Sequence, residues 1–322
     1  MTQYASVPGD RALSMSLPNR GYTYRRRVEP EDDGVAVLDW LVRLHTHSPL
    51  SVWAARIVAG EVEVAGRHAD ADRRLRPGEE VAWHRPPWVE AEVPLKFGLV
   101  HEDADLLVVT KPAGLPTVPA GGFLENTLLA RVRERWPEVT PMHRLGRGTS
   151  GVVLFARTAE ARSALQRAWR EGRVDRRYRA LAQGELGDVR IDVPIGRLAH
   201  AVLGGLHAAH PGGRSAHSEV TALERRTGAT LVDIAIATGR PHQIRIHLAA
   251  IGHPLVGEPL YGPGGLPKPE STALPGDGGF LLHAFQLGFS HPTGNFRMWV
   301  GVEPVERLRL GGDAPPGPDG AG

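Results

Sequence analysis

The chain has 322 residues, of which 41% are hydrophobic and 23% charged, with a formal net charge of +2 and no cysteine. That balance belongs to a soluble globular protein, and no apolar run approaches the roughly 18 residues a membrane span needs. Without cysteine, disulfides, thiolate nucleophiles and thiolate metal sites are excluded together. The N-terminus, MTQYASVPGDRALSMSLPNR, has no apolar segment of the signal-peptide kind, so a cytoplasmic protein is expected. Polar, Gly/Pro-rich tails at 1–21 and 311–322 are expected to be disordered, with structure beginning near Tyr22.

From Val35 to Leu44 apolar residues recur at helical spacing, and after Ser48-Pro49 a second helix, LSVWAARIVAG, stops at Gly60 as a C-cap. The segments EVEVAG and EEVAWH then alternate like strands. The order helix, helix, strand, turn, strand, with Arg56 on the second helix, resembles an S4-type RNA-binding module over 22–87. A small α+β cap without RNA contact has the same outline.

Pro86-Pro87 marks a stiff hinge into a larger domain, 88–310. There LLVVT reads as a buried strand before Lys111-Pro112, and ENTLLARVRERW as an amphipathic helix with Leu128, Leu129 and Val132 on one face. VVLFA at 152–156 is a second buried strand; TAEARSALQRAWREG is a helix starting at Thr158, and VDRRYRALAQG an alternating strand carrying Tyr178. The Gly/Pro-rich stretches 204–217 and 261–279 are long loops, at least one of which is expected to border a binding cleft. Only Lys96, Lys111 and Lys268 are lysines among 38 basic residues. Arginine forks suit phosphate, although codon bias also enriches arginine. Its clustering between Arg162 and Arg179 points to a nucleic-acid backbone.

The densest polar chemistry lies in PMHRLGRGTSGVVLFA, 141–156, where Gly146, Gly148 and Gly151 sit among His143, Arg144, Arg147, Thr149 and Ser150. The spelling G-x-G-x-x-G is not a dinucleotide fingerprint here, because these glycines precede a strand and follow no buried one. Nor is GTSG the G-x-S-x-G elbow of a hydrolase. His242 and His247 are five apart, not at the helical spacing of a zinc site. His143, His283 and His291 read as structural histidines.

Taken in order, KPAGLPTVPAG, HRLGRGTSGVVLFA, RRYRALAQG, TGRPHQIRIHLAAIGHPLVGEPLYG and LLHAFQLGFSHP resemble the RluA-type RNA pseudouridine synthases over residues 35–310. The resemblance implies an α+β fold, a long, mostly antiparallel mixed sheet with flanking helices and a central cleft, beside the small S4-like domain. It also implies an isomerase (an intramolecular transferase) that turns uridine into pseudouridine in structured rRNA or tRNA. No metal, organic or nucleotide cofactor is implied, and a monomer is expected. By motif position the catalytic aromatic is Tyr178 and the cation Arg245. RNA contacts are expected from Arg56, His143, Arg144, Arg147, Thr149, Arg176, Arg240, His242 and Gln243.

The family loop reads HRLD, two residues, then TSG, and its aspartate is the essential group; this chain has Gly146 there. A branch of the family with plant members resembles this chain in reading HRLGRGTSG. An arginine stripped of its carboxylate in a dry pocket is a defect of about 3–5 kcal/mol, so Arg245 needs another partner. Candidates are Asp175, near Tyr178, and Glu258, where the family has GD, with Asp233 and Glu125 behind them; an RNA phosphate or water are the other choices. Two outcomes stand open: an enzyme with a relocated acid, or an inactive RNA-binding relative that serves as a folding or assembly factor.

Overall fold

The structure, a computed structural model, describes residues 17–45, 48–200, 205–294 and 296–312. The tails expected to lack order lie outside the described residues over 1–16 and 313–322. Two compact units are present, one built on residues 17–90 and the other on 91–198 with 207–312. Among the described residues no helix is long and apolar enough to cross a membrane.

The smaller unit contains β1 (Tyr22–Arg27), α1 (Val37–Leu44), α2 (Leu50–Val58), β2 (Val62–Val64), β3 (Arg67–His68) and β4 (Glu80–Arg85). Val37, Trp40 and Leu41 bury one stripe of α1, and Trp53 and Ile57 one stripe of α2, against Val62, Val64, Val81 and Trp83 of the sheet. Gly60, at φ +74°, ends α2 in the left-handed conformation that a side chain resists. The sheet order is β1-β4-β2-β3. Strand β1, YTYRRR, carries no strand signal in its sequence: it is an edge strand exposed along nearly its whole length, so it lacks the alternation that marks a half-buried strand.

The larger unit runs β5 (Gly98–Glu102), β6 (Leu106–Lys111), α3 (Leu128–Arg133), β7 (Thr140–Pro141), β8 (Ser150–Ala156), α4 (Ala159–Arg170) and β9 (Asp175–Gln183). It continues with β10 (Val189–Ile191), β11 (Ile195–Leu198), β12 (Leu206–Ala209), β13 (Ser218–Arg226), β14 (Ala229–Ile236), α5 (Gln243–Ala250), β15 (Leu282–Ser290) and β16 (Arg297–Gly301). The main sheet has the order β10-β13-β14-β9-β15-β8-β6-β5, with β16 on β15 and β7 on β8. Its described pairings are antiparallel except β15 with β8, where His283 faces Ser150 and Ala284 faces Gly151. The mixed, mostly antiparallel sheet is the one expected.

Residue parity explains how the helices coat this sheet. Leu106, Val108, Val152 and Leu154 point to one face and meet Ala161, Leu165 and Ala168 of α4. Leu107, Val109, Val153 and Phe155 point to the other and meet Leu128 and Val132 of α3. Because both faces are covered, β6 and β8 are continuous apolar runs, as their sequences suggest. Tyr178 packs against both the α3 cluster and the cluster holding Ile244 and Leu248 of α5, which places it at the seam between them. The helix expected over 125–136 is only six residues long; Thr127 sets its start by accepting from the Ala130 N–H at 3.2 Å. Part of the expected loop 204–217 is strand β12, paired with β11.

Candidate active site

The loop 143–151 owes its shape to three differently used glycines. A Cβ on Gly151, at φ +122°, would stand 2.1 Å from the Ala284 carbonyl oxygen, so only glycine lets β8 approach β15. A Cβ on Gly148 would stand 2.8 Å from the Phe280 ring. At Gly146, by contrast, it would meet only the Thr149 hydroxyl, at 3.7 Å, which leaves room for a side chain. Lys111 pins the loop from below, its Nζ donating to the carbonyls of Pro112 (2.9 Å), Leu115 (2.6 Å) and Arg147 (3.2 Å). Burial pulls this amine down to about 7.

Above the loop is a pocket bounded by Gly146 to Thr149, by Tyr178 of β9, by Arg240, His242 and the first residues of α5, Gln243 to Arg245, and by Pro275 and Phe280. Arg144, Arg147, Arg240 and Arg245 all line it, and among the described residues no carboxylate does. The loop expected to border a cleft therefore does so through Pro275. Tyr178 is partly buried, and desolvation raises its phenol above the ordinary tyrosine value.

Arg245 is buried, and it has a carboxylate partner. Its Nε and Nη2 donate to the two oxygens of Glu258 at 2.7 and 2.6 Å, while Nη1 donates to the Pro275 carbonyl at 3.0 Å. One oxygen of Glu258 also accepts from the backbone N–H groups of Leu260 and Tyr261. Burial alone would favour neutral Glu258, but the Arg245 hydrogen bonds and charge outweigh it and hold the carboxyl below the ordinary glutamate value. With both oxygens engaged and no exposed side-chain surface, Glu258 supports Arg245 from behind and does not reach the pocket.

The other candidate acids lie elsewhere. Asp175 points to the surface and pairs with Arg297, so proximity along β9 to Tyr178 does not bring it into the pocket. Alternation explains this, since residue 175 and residue 178 project to opposite faces of a strand. Asp233 lies 3.8 Å from both Arg177 and Arg179, and Glu125 does not line the pocket.

Among the expected RNA contacts, Arg144, Arg147, Thr149, Arg240, His242 and Gln243 line the pocket together. Arg147 is held by Asp277 and the Gly276 carbonyl, both at 2.8 Å. His143 and Arg176 are not in the pocket wall. His143 stacks on Trp169 and accepts from the Leu154 N–H at 3.1 Å, burial lowering it to about 4. Arg176 donates to the Ala237 carbonyl at 2.8 Å. Arg56, in the smaller unit, lies over the rings of Trp53 and Trp83 at 4.5 and 4.3 Å. His247 hydrogen-bonds Ser218 Oγ through Nδ1 and the Val193 carbonyl through Nε2.

Sequence reasoning missed Phe280, whose ring packs 4.3 Å from the Arg245 guanidinium, and Tyr261, which hydrogen-bonds His242. The only sequence signal for Phe280 is its place immediately after a Gly-Gly pair.

Several known proteins have similar chains. A family model described as RNA pseudouridylate synthase matches residues 105–250. An uncharacterized RNA pseudouridine synthase of Synechocystis is 41% identical, covering 79% of this chain and 89% of that protein. RNA pseudouridine synthase 5 of Arabidopsis thaliana is 34% identical over 84% of this chain and 88% of its own length. Ribosomal large subunit pseudouridine synthase D of Nitrosomonas europaea is 36% identical over 68% and 64%. Among solved structures, human RNA pseudouridylate synthase domain containing 1 superposes with a TM-score of 0.53 at 26% identity, covering 69% of this chain and 90% of that one.

Proposed function

Because this chain belongs to the RNA pseudouridylate synthase family, we propose that it isomerises uridine to pseudouridine within structured ribosomal or transfer RNA. The observation that carries this reading is the pocket in which Gly146, Tyr178 and Arg245 meet beside three further arginines. A uridine inside a folded RNA is reached by flipping it out, at a cost of a few kcal/mol that stacking and hydrogen bonds in a fitted pocket offset. Tyr178 supplies the aromatic surface for the base. Arg144, Arg147 and Arg240 supply planar cations for the phosphates on either side. Arg245, held rigidly by Glu258, orders the pocket floor.

The smaller unit is proposed as the S4-like RNA-binding module of the same protein. Supporting this, Tyr22 and Tyr24 of β1 are 49% and 42% exposed and are followed by Arg25, Arg26 and Arg27, a run of rings and then guanidinium groups that suits single-stranded bases and phosphates.

A second reading, an RNA-binding protein without isomerase activity that serves as a folding or assembly factor, is favoured by the absence of a carboxylate from the described pocket wall. Release of tritium from RNA labelled at uridine C5 separates the two. Release by the native protein that is lost in Arg245→Ala supports the isomerase. No release by the native protein, with release gained in Gly146→Asp, supports the binder, since a Cβ at 146 would meet only the Thr149 hydroxyl, at 3.7 Å.

A further inference from the structure

His242 occupies an unusual position in the pocket wall. It is the residue before α5, and with φ 56° it is one of two non-glycine residues with positive φ among the described residues, the other being Ala65 in the smaller unit. Left-handed backbone at a non-glycine residue costs of order 1–3 kcal/mol and persists where surrounding contacts enforce it, commonly at functional sites. Here the contact is identifiable. His242 Nδ1 lies 2.7 Å from the hydroxyl of Tyr261, a fully buried residue.

The hydrogen-bond chain settles which ring nitrogen carries the proton. Tyr261 has one hydroxyl proton, and it is donated to the His207 carbonyl at 2.8 Å. The Tyr261 oxygen can therefore only accept from His242, so Nδ1 is the N–H and Nε2 carries the lone pair. Nε2 makes no hydrogen bond among the described residues. Burial, then the positive charge of Arg245, hold the imidazole at about 4, against the partial counter-effect of Glu258; His207 and Arg144 act in the same direction as Arg245. At neutral pH the ring is uncharged and Nε2 is available.

No other wall group offers equivalent chemistry. Gln243 Oε1 is occupied by the Thr238 hydroxyl and the Arg240 N–H. Thr149 and Tyr178 are hydroxyls of low basicity at neutral pH, the four arginines are cations, and residue 146 has no side chain.

We propose that Nε2 of His242 is the general base of this protein, acting on the ribose C2′ proton of the bound uridine. This inference rests on the isomerase reading given above. The proton passes from C2′ to Nε2, the C–H electron pair forms the C1′=C2′ bond, and the C1′–N1 bond breaks with its pair left on uracil N1. The freed base turns against Tyr178 until C5 faces C1′. The imidazolium returns its proton to C2′ as C5 bonds to C1′; the C5 proton is then lost to water while N1 takes one up. Burial keeps the imidazole uncharged at neutral pH, so its Nε2 lone pair can accept the proton.

The test is tritium release at saturating RNA by the full chain, comparing native protein with His242→Asn and His242→Gln. Asparagine tolerates positive φ, so the first variant keeps the turn. Expected is a fall in kcat of at least about 100-fold with KM changed by less than about threefold, partial rescue by added imidazole, and a slower native reaction on RNA deuterated at C2′. Retention of kcat within about threefold in either variant, or a change confined to KM, overturns the assignment while leaving the isomerase intact. Absence of release from the native protein overturns the isomerase reading and this one with it.

Discussion

Arg245 in the larger unit and Arg56 in the smaller one both lie 4.3 Å from an aromatic ring, Phe280 and Trp83 respectively, yet only Arg245 is closed by a carboxylate. The difference follows from depth. Arg245 is 4% exposed, and a cation so far from water needs an anion and filled hydrogen-bond positions, which Glu258 and the Pro275 carbonyl provide. Arg56 is only half-buried, so two indole rings and the Ser48 hydroxyl at 3.2 Å are enough, the remaining donors reaching solvent. Burial lowers the Arg56 guanidinium from its ordinary value, with nearby Glu61 opposing the shift. The comparison teaches that Glu258, the carboxylate on Arg245, belongs to the cation's support. The glycine at 146 does not strand Arg245, because its bidentate partner is on another segment.

The sharpest way to break the comparison is to take away that partner. Glu258→Gln should cost about 3–5 kcal/mol in urea unfolding by leaving a buried cation unpaired, whereas Arg245→Met combined with Glu258→Leu should cost less than Glu258→Gln alone. The pH dependence follows the same logic. Glu258 is held below its ordinary value of 4.5 when folded, so its stabilisation is complete above that pH and is lost as pH falls through the lower folded value. Acid unfolding of the native protein should accordingly be steeper below about 4.5 than that of Glu258→Gln; equal slopes would show that Glu258 is not ionised in the folded state.

A smaller effect is expected at the other arginine. Arg56→Ala should destabilise the chain by about 1–2 kcal/mol, through lost cation–π contact and lost packing of its stem. Removing the exposed rings, Tyr22→Ala with Tyr24→Ala, should instead weaken binding of a labelled oligouridylate roughly tenfold in fluorescence anisotropy. Unchanged RNA affinity in that double variant would remove β1 from the RNA surface.

The smallest effect belongs to the loop. Gly146→Ala should alter stability by less than about 0.5 kcal/mol, as a substitution into open space. Gly148→Ala, whose Cβ would press on Phe280, should lower Tm measurably. Equal losses in the two variants would mean that position 146 is more confined than its surroundings indicate.

Much of the architecture was legible because it depends on local pattern. The apolar runs of β6 and β8, the Thr158 start of α4 and the Gly60 stop of α2 each follow from side-chain periodicity or capping chemistry. Strand β1 was illegible, since an edge strand with water on most sides leaves no alternation in its sequence. The membership of the pocket was legible only in part. Tyr178, Arg245 and the loop at 143–151 announced themselves by motif, and Glu258 was found by asking what could neutralise Arg245. Asp175 was misplaced because closeness in sequence along a strand says nothing about which face a side chain takes unless the register is known.

By itself, then, the sequence determined the family, the strands and helices with strong periodicity, and the absence of an acid at position 146, because these depend on residue identity and near neighbours. Only the tertiary structure decided that Glu258 lies behind Arg245 and outside the pocket, that Phe280 closes one wall, and that the Tyr261 hydroxyl sets the tautomer of His242. Each of those joins segments far apart in the chain, and their distances follow from how the sheet and α5 pack.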